Sequence, residues 1–556
     1  MPPAKPTTLC DGDSLPIYFK HVKCLPIAPS RPSEILDFLS LVVGLFTMTA
    51  VENAVTGSSD GLWTIITWVL LAAGVWFCFR TVVVQIRMVP EMFRSLTEKP
   101  SDISKDKKGI SAFKAFTISA ASRVGTGNIA GVAVAITIGG PGAVFWMWLV
   151  AIVGGATAFV ESTLAQLYKV KDTDSYRGGP AYYITKGLNL KWLAAVFVVA
   201  ITVTYGFVYN AVQSNSIVDA ITESTGSDAM WWKALLGVAL AILTALIVFG
   251  GVQRIASVTN WLVPIMAVLY IVTGFIVVAV NIEQVPHMFA EIVTSALGIR
   301  EVAGATFGQA FMYGIRRGLF SNEAGEGSIP NAAATASVSH PVKQGLIQTL
   351  GVYFDTIIVC SITAFIILLN NPSFGEGVES TSLTQNSVAA AVGHWGVHLV
   401  TVIIFFLAFS SVIGNYYYGE SNIEFFTRNN KVMTAYRFLV CLCVLGGSLG
   451  KVGIVWALAD LFAGIMVAIN LTAILPLGGA AIALLKNYRE QRNQGLSPVF
   501  HRDDLPNLPG HDRIECWDGS DPLTIRGDGQ EVYGRRPGTP APQVIRRSAN
   551  GSVRAE

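Results

Sequence analysis

The sequence predicts an all-α integral membrane protein whose helices form two inverted five-helix halves, each beginning with a broken helix. Three observations lead to this prediction. Hydrophobic residues make up 52% of the 556 residues and charged residues only 14%, a composition typical of membrane proteins. Apolar segments of about 20 residues, the length that crosses a bilayer, recur along the chain. Glycine-rich polar sequences interrupt two of these segments at corresponding places.

The N-terminal segment, residues 1–61, precedes the predicted bundle. Met1 to Arg31 is rich in Pro and polar residues, so we expect it to be poorly ordered or to lie on the surface. Glu34 to Val51 is apolar with charged flanks, which predicts either an interfacial helix or a short span, with the interfacial helix favoured. These residues contain no continuous apolar core with a cleavage site, so we predict no signal peptide.

The transmembrane region, residues 62–485, contains about eleven segments that are apolar enough to span roughly 30 Å of hydrocarbon. Its inverted repeats cover about 110–280 and 303–485, with one extra helix ahead of them. Residues 486–556 are rich in Pro, Gly, Arg and Asp without an amphipathic period, which predicts a disordered cytoplasmic tail. The predicted spans are Leu62–Val84, Ile110–Ile138, Ala143–Leu167, Lys191–Ile221, Trp231–Phe249, Val258–Val280, Ala303–Ala336, Val342–Leu369, Val392–Tyr417, Val432–Leu445 and Val452–Leu475.

The distribution of basic residues predicts the orientation. Lys and Arg cluster in the loops around 80–114 and 169–191, whereas the turn Gly139–Gly142 has no charge and 370–387 has only acidic ones. Because basic loops stay in the cytoplasm, we expect the N-terminus outside and the C-terminus in the cytoplasm of a multi-pass plasma (inner) membrane protein. The first interrupted segment then runs outward and the second runs inward, which gives the two halves opposite topology.

Paired interrupted helices in inverted halves indicate a secondary transporter. A channel would call for rings of charges or carbonyls repeated around a symmetry axis, and nothing in the sequence repeats in that way. An enzyme would call for a motif such as HExxH or GxSxG, and none lies on the predicted membrane face. No basic run suggests nucleic acid, and nothing indicates an obligate protein partner, so lipid and a small solute are the expected partners. The seven cysteines are scattered without metal-ligand or disulfide spacing.

The first interruption lies in RVGTGNIAGVA, Arg123 to Ala133. Gly destabilises a helix and Asn brings an amide into hydrocarbon, so Gly125-Thr126-Gly127-Asn128 is predicted to be a binding site. The N–H groups that open the second half-helix suit a carboxylate, and the carbonyls of about Ala121 to Val124 suit a small cation. The alternative is a face of close helix packing on which Asn128 bonds a neighbour.

The second interruption lies in GIRRGLFSNEAGEGSIPNAAATA, Gly314 to Ala336. Glycines and carboxylates at membrane depth must line a cavity rather than face lipid. Carbonyls around Arg317 to Phe320 are placed to accept a protonated amine. With the first break as the carboxylate site, the predicted ligand is a zwitterion, an amino acid. Arg316 and Arg317 are expected to neutralise Glu323 and Glu326.

Two further positions point to the site. Gln213 is an amide deep in the fourth span, which indicates either a ligand contact or a bond between helices. Ser410 and Ser411 are adjacent hydroxyls on a span expected near the first break. With main-chain carbonyls they would form a neutral-oxygen site for Na⁺, whereas a proton site needs a titratable group; back-bonding to their own helix is the alternative. The sixth span contains no Lys or Arg to take the cation's place.

Four other charges fall within or at the ends of apolar spans: Arg123, Glu161, Asp355 and Asp460. Pairing, for example of Arg123 with a carboxylate, is the usual way to hold such groups. The sequence does not choose the partners, and gate residues and structural pairs are equally good interpretations.

At these residues the sequence resembles the alanine or glycine:cation symporter (AGCS) family over about Leu62 to Leu485. The motifs that carry the resemblance are RVGTGNIAGVA, GGPGAVFWMW, YRGGPAYYI, GLFSNEAGEGS and SSVIGNYYYGESN. The family is similar in fold to the leucine transporter (LeuT), with its first helix extra and the next ten forming the inverted repeat. The resemblance implies Na⁺-coupled symport of a small neutral amino acid into the cell by alternating access, and H⁺-coupled transport by the same fold is the alternative.

The resemblance also implies roles for individual residues. Substrate contacts are implied at Thr126, Gly127, Asn128, Gln213, Phe320 and Ser411. A Na⁺ site is implied at the carbonyls of Ala121, Val124 and Leu407 and the hydroxyls of Ser410 and Ser411. Asn415 departs from the family pattern, in which several members have Trp before YYYGE. A smaller polar residue there predicts a larger substrate pocket, so serine or glutamine joins alanine and glycine as an expected substrate.

Overall fold

The computed structural model describes residues 32–97, 102–104, 107–172, 175–299, 306–370, 380–450, 452–518, 545–547 and 553–555. The chain divides into two compact units, residues 1–58 and 59–556, and the candidate site lies wholly within the second. The prediction for Met1 to Arg31 concerns residues outside the described ones. The prediction for Glu34 to Val51 falls in the helix that begins at Pro32, and nothing distinguishes an interfacial from a spanning position for it.

Both halves of the transmembrane region are mainly α-helical. Three N-terminal helices precede the first half in the chain. The N-terminal helices are α1 (Pro32–Arg80), α2 (Val84–Arg87) and α3 (Val89–Leu96). The first half comprises α4 (Ala112–Arg123), α5 (Val132–Gly139), α6 (Gly142–Leu167), α7 (Pro180–Leu188), α8 (Lys191–Val203), α9 (Asn210–Thr225), α10 (Met230–Val248), α11 (Gly251–Val280) and α12 (Val285–Ala296). A π-helical segment, Thr204–Tyr209, joins α8 to α9.

The second half repeats this order. It comprises α13 (Phe307–Asn322), α14 (Ile329–Ala334), α15 (Pro341–Val352), α16 (Ser361–Leu368), α17 (Ser380–Val392), α18 (Trp395–Phe426), α19 (Asn430–Leu449) and α20 (Val452–Asn493). The π-helical segment Tyr353–Cys360 joins α15 to α16. Three short antiparallel strand pairs lie outside the bundle: Asp102–Ser104 with Lys107–Lys108, Val170–Lys171 with Tyr176–Arg177, and Ile545–Arg547 with Val553–Ala555.

The first broken helix forms as the sequence predicts. It ends as an α-helix at Arg123, resumes as a π-helix over Gly127–Gly131, and continues through α5. The two parts are bent by 54°. Val124 at the break has ψ 84° and so cannot continue the helical hydrogen bonds, which frees backbone groups at this point.

The second broken helix ends at Asn322 and resumes at Ile329. Its connecting segment places Gly325 and Gly327 at φ +86°, a conformation that glycine adopts without steric cost. Glu323 has φ +57° as well, which is unfavourable for a residue with a Cβ. The chain therefore turns sharply where the sequence concentrates glycines and carboxylates.

Among the described residues, nine helices are long and apolar enough to span a membrane, and the bent pair α4–α5 makes ten. The pair α13–α14 is not among them, because charged and polar residues interrupt it. The described residues therefore contain nine or ten candidate spans, compared with about eleven predicted from the sequence. The first span, Ala54–Arg80, begins earlier than the predicted Leu62.

Corresponding helices of the two halves pack against each other. The second helices, α6 and α15, are in contact, as are the third helices, α8–α9 and α18, and the fourth helices, α10 and α19. The second part of the first broken helix, α5, packs against α13 of the second broken helix. This pairing is what a pseudo-two-fold axis between inverted halves produces, and it brings the two breaks together.

The structure corrects the expectation of a disordered tail from residue 486. Helix α20 continues to Asn493. The described residues after it, up to Asp518, pack on the ends of other helices, and Phe500 and Trp517 are fully buried. Composition misled because a short segment held by two large rings and backbone hydrogen bonds needs no amphipathic period.

Candidate functional site

The first break is shaped by its own asparagine and by a glutamine from α9. The Gly125 N–H donates to Asn128 Oδ1 over 2.9 Å, so the Asn128 side chain closes the unwound turn. The Thr126 N–H donates to Gln213 Oε1 over 3.1 Å. Gln213, for which the sequence predicts either a ligand contact or a bond between helices, joins α9 to the break, and its contact with a ligand stays a prediction.

The oxygens expected to bind Na⁺ lie together at the end of α4. Ser411 Oγ lies 2.9 Å from the Ala121 carbonyl oxygen and 3.4 Å from that of Val124. Ser410 Oγ lies 2.8 Å from the Leu407 oxygen and 3.4 Å from that of Ala121. Both serines are fully buried. Hydroxyl and carbonyl oxygens without a carboxylate are the donor set that unwound transporter helices offer to a monovalent cation, so these residues fit Na⁺.

Gly125 joins the cation oxygens to the substrate residues. A Cβ at this position would lie 2.2 Å from Ser411 Oγ and 2.9 Å from Gln213 Oε1. The break therefore touches a predicted cation ligand on one side and a predicted substrate ligand on the other.

Phe320 closes the other side of the break. A Cβ on Gly127 would lie 3.2 Å from Phe320 Cδ1, so the ring rests on the first broken helix. The Phe320 ring centroid lies 5.1 Å from that of Tyr209 and 5.3 Å from that of Trp456. Neither Tyr209 nor Trp456 is predicted from the sequence. A signal for Tyr209 exists there, because it precedes Gln213 by four residues and so shares its helix face.

The predicted pocket residue Asn415 lies one turn beyond Ser411 on α18. The Ser122 hydroxyl oxygen lies 2.7 Å from Asn415 Oδ1 and 3.0 Å from Glu323 Oε1, so Asn415 contacts the first broken helix and Ser122 connects it to the second. Its Nδ2 is buried and has no hydrogen-bond partner among the described residues. A buried donor of this kind is costly unless something accepts its hydrogen bond.

A small cavity lies beside the first break. It is lined by Gly125, Thr126, Ser216 and Leu407 among others and has a volume of about 10 Å³. That volume holds about one water molecule, so this cavity has no room for an amino acid.

Asp355, which the sequence leaves without a partner, ties the two breaks to each other. It lies in the π-helical segment of the second half, fully buried. Asn128 Nδ2 donates to its Oδ1 over 2.7 Å, and the Ser321 hydroxyl donates to its Oδ2 over 2.8 Å. Since Asn128 also accepts from the Gly125 N–H, one carboxylate fixes the geometry of both broken helices.

The other buried charges have partners that differ from those expected. Arg317 donates to both oxygens of Asp460, over 3.1 and 2.7 Å, and Arg316 also lies 2.9 Å from Asp460. The expectation that Arg316 and Arg317 neutralise Glu323 and Glu326 is therefore wrong. The arginines lie on the helix before the break, and their side chains face α20.

Glu161, Glu326 and Arg123 are held by neutral groups. Glu161 accepts from the Gly325 N–H over 3.1 Å and from Asn470 Nδ2 over 2.8 Å, which pins the second break to α6 and α20. Glu326 accepts from the Tyr209 hydroxyl over 3.1 Å. Arg123 donates to the Ser119 hydroxyl and to the Gln348 carbonyl oxygen rather than to a carboxylate.

Several known proteins are similar to this chain. The "Probable sodium/glutamine symporter GlnT" of Bacillus subtilis is 48% identical over 474 residues, which cover 85% of this chain and 97% of that protein. The "Putative sodium/proton-dependent alanine carrier protein YrbD" of the same organism is 40% identical over 474 residues, 82% of this chain and 96% of that protein. The solved structure of MhsT with L-phenylalanine gives a TM-score of 0.47 at 13% identity and covers 70% of this chain and 99% of that one.

A model of one family of membrane transporters matches residues 48–502, which contain both breaks, Gln213 and the paired serines. The chain belongs to the sodium:alanine symporter family.

Proposed function

We propose that this protein is a Na⁺-driven symporter that brings a small neutral amino acid into the cell by alternating access. The single observation that carries the proposal is the position of Gly125 between Ser411 and Gln213. Because the cation oxygens and the substrate residues share one unwound turn, filling either site orders the backbone that the other needs. Such coupling between two ligands is reciprocal by thermodynamic necessity.

The two breaks together suit a zwitterion. The N–H groups of Thr126, Gly127 and Asn128 open a half-helix whose positive end favours a carboxylate. Carbonyls near the end of α13, around Phe320, are the complementary acceptors for an ammonium group. In the closed structure the Thr126 N–H is occupied by Gln213 Oε1, so we expect substrate to take over this donor when it binds.

The size of the substrate depends on Asn415. Its buried, unpartnered Nδ2 supplies a donor that an alanine side chain leaves unused and a serine hydroxyl or glutamine amide oxygen would accept. A relative named for glutamine supports the wider range. We expect glutamine to compete with labelled alanine in the parent and much less in Asn415→Trp. Equal competition in both would count against Asn415 as a pocket residue.

The orientation proposed from the basic loops is N-terminus outside and C-terminus in the cytoplasm of the plasma membrane. It makes the face on which α20 ends the cytoplasmic face. A reporter enzyme that is active only outside the cell, fused after Glu556, should be inactive, and a fluorescent protein fused there should be bright. The opposite pair of results would invert the assignment.

Transport by proteoliposomes tests the central proposal. Labelled alanine should enter under an inward Na⁺ gradient and fail to enter when K⁺ replaces Na⁺. Ser411→Ala should raise the Na⁺ concentration for half-maximal uptake by roughly tenfold, because a ligand oxygen is lost. Ser448→Ala is the matched control, since Ser448 is also buried and bonds the Val444 carbonyl of its own helix.

Alanine uptake that is independent of Na⁺ and is abolished by a protonophore would overturn Na⁺ coupling. It would favour the proton-coupled alternative, for which a relative's name gives a precedent. The buried carboxylates Glu161, Asp355 and Asp460 would then be the positions to replace first.

A further inference from the structure

The segment after α20 is a folded element that we call the C-terminal strap, residues 496–518. Two short 3₁₀ turns, Arg502–Asp504 and His511–Arg513, lie within it. The strap folds back on itself, because the Arg502 N–H donates to the Trp517 carbonyl oxygen over 2.8 Å. The rings of Phe500 and Trp517 pack edge to face at 5.6 Å, and both are fully buried. The strap thus has a fixed shape with its own small apolar centre.

The strap is attached to connections that come after three different helices. At the link between α14 and α15, the Phe500 N–H donates to the Ser339 carbonyl oxygen over 2.9 Å, and the Ser339 hydroxyl donates to the Pro498 carbonyl oxygen over 2.7 Å. After α6, the Tyr168 hydroxyl donates to the Pro509 carbonyl oxygen over 2.6 Å. These bonds join elements that are far apart in the sequence.

The third attachment is the end of α7. Arg513 Nη1 donates to the Lys186 carbonyl oxygen over 3.2 Å, and Lys186 Nζ pairs with Glu515 at 2.8 Å. Gly510 lies so close that a Cβ there would be 2.0 Å from the Lys186 carbonyl oxygen. The strap backbone is therefore in direct contact with this helix.

Trp517 covers the place where the ends of both broken helices meet. The Ser337 N–H, just after α14, donates to the carbonyl oxygen of Ile110, just before α4, over 2.9 Å. Gln166 Nε2 donates to the neighbouring Ala336 carbonyl oxygen over 3.1 Å. Trp517 Nε1 in turn donates to the Gln166 carbonyl oxygen over 2.9 Å. Opening a path to the breaks from this face separates these contacts or moves them together with the strap.

We propose that the C-terminal strap is a latch that holds this face of the transporter closed and must detach before substrate leaves on this side. The proposal rests on the alternating access proposed above. The family model ends at residue 502, so Pro509, Arg513 and Trp517 lie beyond the matched range.

Two truncations form a matched pair. Ending the chain after Gly495 removes the strap and everything beyond it, whereas ending it after Asp518 removes residues 519–556 alone. The reporter is Cys360, a buried thiol that lies 3.3 Å from Asn128 Nδ2 and 3.1 Å from the Ser321 hydroxyl, between the two breaks. Alkylation of this cysteine by a small maleimide, monitored over time by peptide mass spectrometry, measures how often the path to the breaks is open.

Loss of the strap should raise the rate of Cys360 alkylation at least about tenfold, since several hydrogen bonds and two buried rings no longer oppose opening. The chain ended after Asp518 should match the parent. Two outcomes would overturn the latch. One is a rate in both truncations that equals the parent rate, and the other is an equal rise in both, because the effect would then belong to residues after 518.

Point variants protect the test against misfolding. Trp517→Phe keeps a ring but loses the N–H that Gln166 accepts, and Trp517→Ala loses both. Alkylation should rise in the order parent, Phe, Ala while each protein elutes as one symmetric peak on gel filtration. Unchanged alkylation in a well-folded Trp517→Ala would refute the latch. Because the reporter measures access rather than uptake, the result stands even for a chain that fails to transport alanine, whereas loss of Na⁺ dependence would refute only the proposed function.

Discussion

Replacing Gly125 with alanine places one methyl group where the cation oxygens and the substrate residues meet. The new Cβ would lie 2.2 Å from Ser411 Oγ, 2.9 Å from Gln213 Oε1 and 3.0 Å from Ser411 Cβ. Non-bonded heavy atoms prefer separations of about 3.5 Å, so Ser411 must retreat by roughly 1 Å. Ligand distances in ion sites tolerate changes of only about 0.2 Å. The Ser411 hydroxyl is therefore lost to the cation.

The size of the effect can be worked out from the overlap. Adding a methylene group to a packed interior costs about 1–3 kcal/mol, which corresponds to roughly a 5- to 150-fold change in an equilibrium constant. We expect the Na⁺ concentration for half-maximal uptake to rise within this range. The KM for alanine should rise with it, because Gln213 is displaced as well.

Gly131→Ala is the control on the same broken helix. Its Cβ would meet nothing closer than Arg317 Cδ at 4.0 Å. This variant should keep Na⁺ activation and the KM for alanine near those of the parent, with initial rates in proteoliposomes as the assay. Na⁺ activation of Gly125→Ala indistinguishable from that of Gly131→Ala would refute the idea that the two sites share this turn.

Three further predictions concern groups around the site and the strap. Asp355→Asn should raise the KM for alanine by about tenfold without loss of protein, because the charge-assisted bonds to Asn128 and Ser321 weaken. Thr349→Val, which removes a buried hydroxyl on the preceding helix α15 that donates to the Gly155 and Gly345 carbonyl oxygens, should leave the KM near the parent value, and a KM shift in both would show a general packing effect. Asp460→Asn should lower the midpoint temperature of heat-induced aggregation, since breaking a buried ion pair costs about 3–5 kcal/mol. Glu515→Gln, at an exposed ion pair, should change the midpoint little. Similar midpoints in the two variants would contradict a stabilising role for the Asp460 ion pair. Burial raises the pKa of the Cys516 thiol to about 11, so at pH 8 about one thiol in a thousand is ionised, compared with about a quarter at the usual pKa of about 8.5. Trp517→Ala should therefore increase the rate of Cys516 alkylation at pH 8 by about a hundredfold and bring that rate to a plateau near pH 10, whereas the parent rate keeps rising. Identical pH profiles in the two proteins would show that Trp517 does not shield the thiol.

The sequence predicts the two breaks correctly because glycine, asparagine and carboxylates cannot face lipid in a helix. The same reasoning predicts the inverted halves, since charge bias in the loops fixes the direction of each span. The position of the paired serines beside the first break also follows from their place in the repeat, whereas their role as Na⁺ ligands stays a prediction. In each case the prediction rests on a local sequence pattern, because a helix that faces lipid tolerates few polar or charged residues.

Partners between distant segments are beyond this reasoning. Closeness in sequence pairs Arg317 with Glu323, but Arg317 bonds Asp460 on the last helix. The role of Asp355 depends on the packing of a π-helical segment against both breaks, which no sequence period indicates. The strap escapes prediction for a similar reason, since Phe500 and Trp517 find their surroundings on loops from elsewhere in the chain.

The second broken helix also bears on how the protein enters the membrane during synthesis. Its buried groups find partners on α6 and on the π-helical segment Thr204–Tyr209, which precede it, and on α20, which is made last. Glu161 and Tyr209 are already in place when the second broken helix is made, whereas Asp460 and Asn470 are not. Charges at membrane depth cost several kcal/mol each until they are paired. The pair α13–α14 therefore cannot settle into lipid on its own as it leaves the ribosome. We expect this pair to stay beside the insertion machinery until α20 has been synthesised, so that folding of the second half is completed only with the last helix.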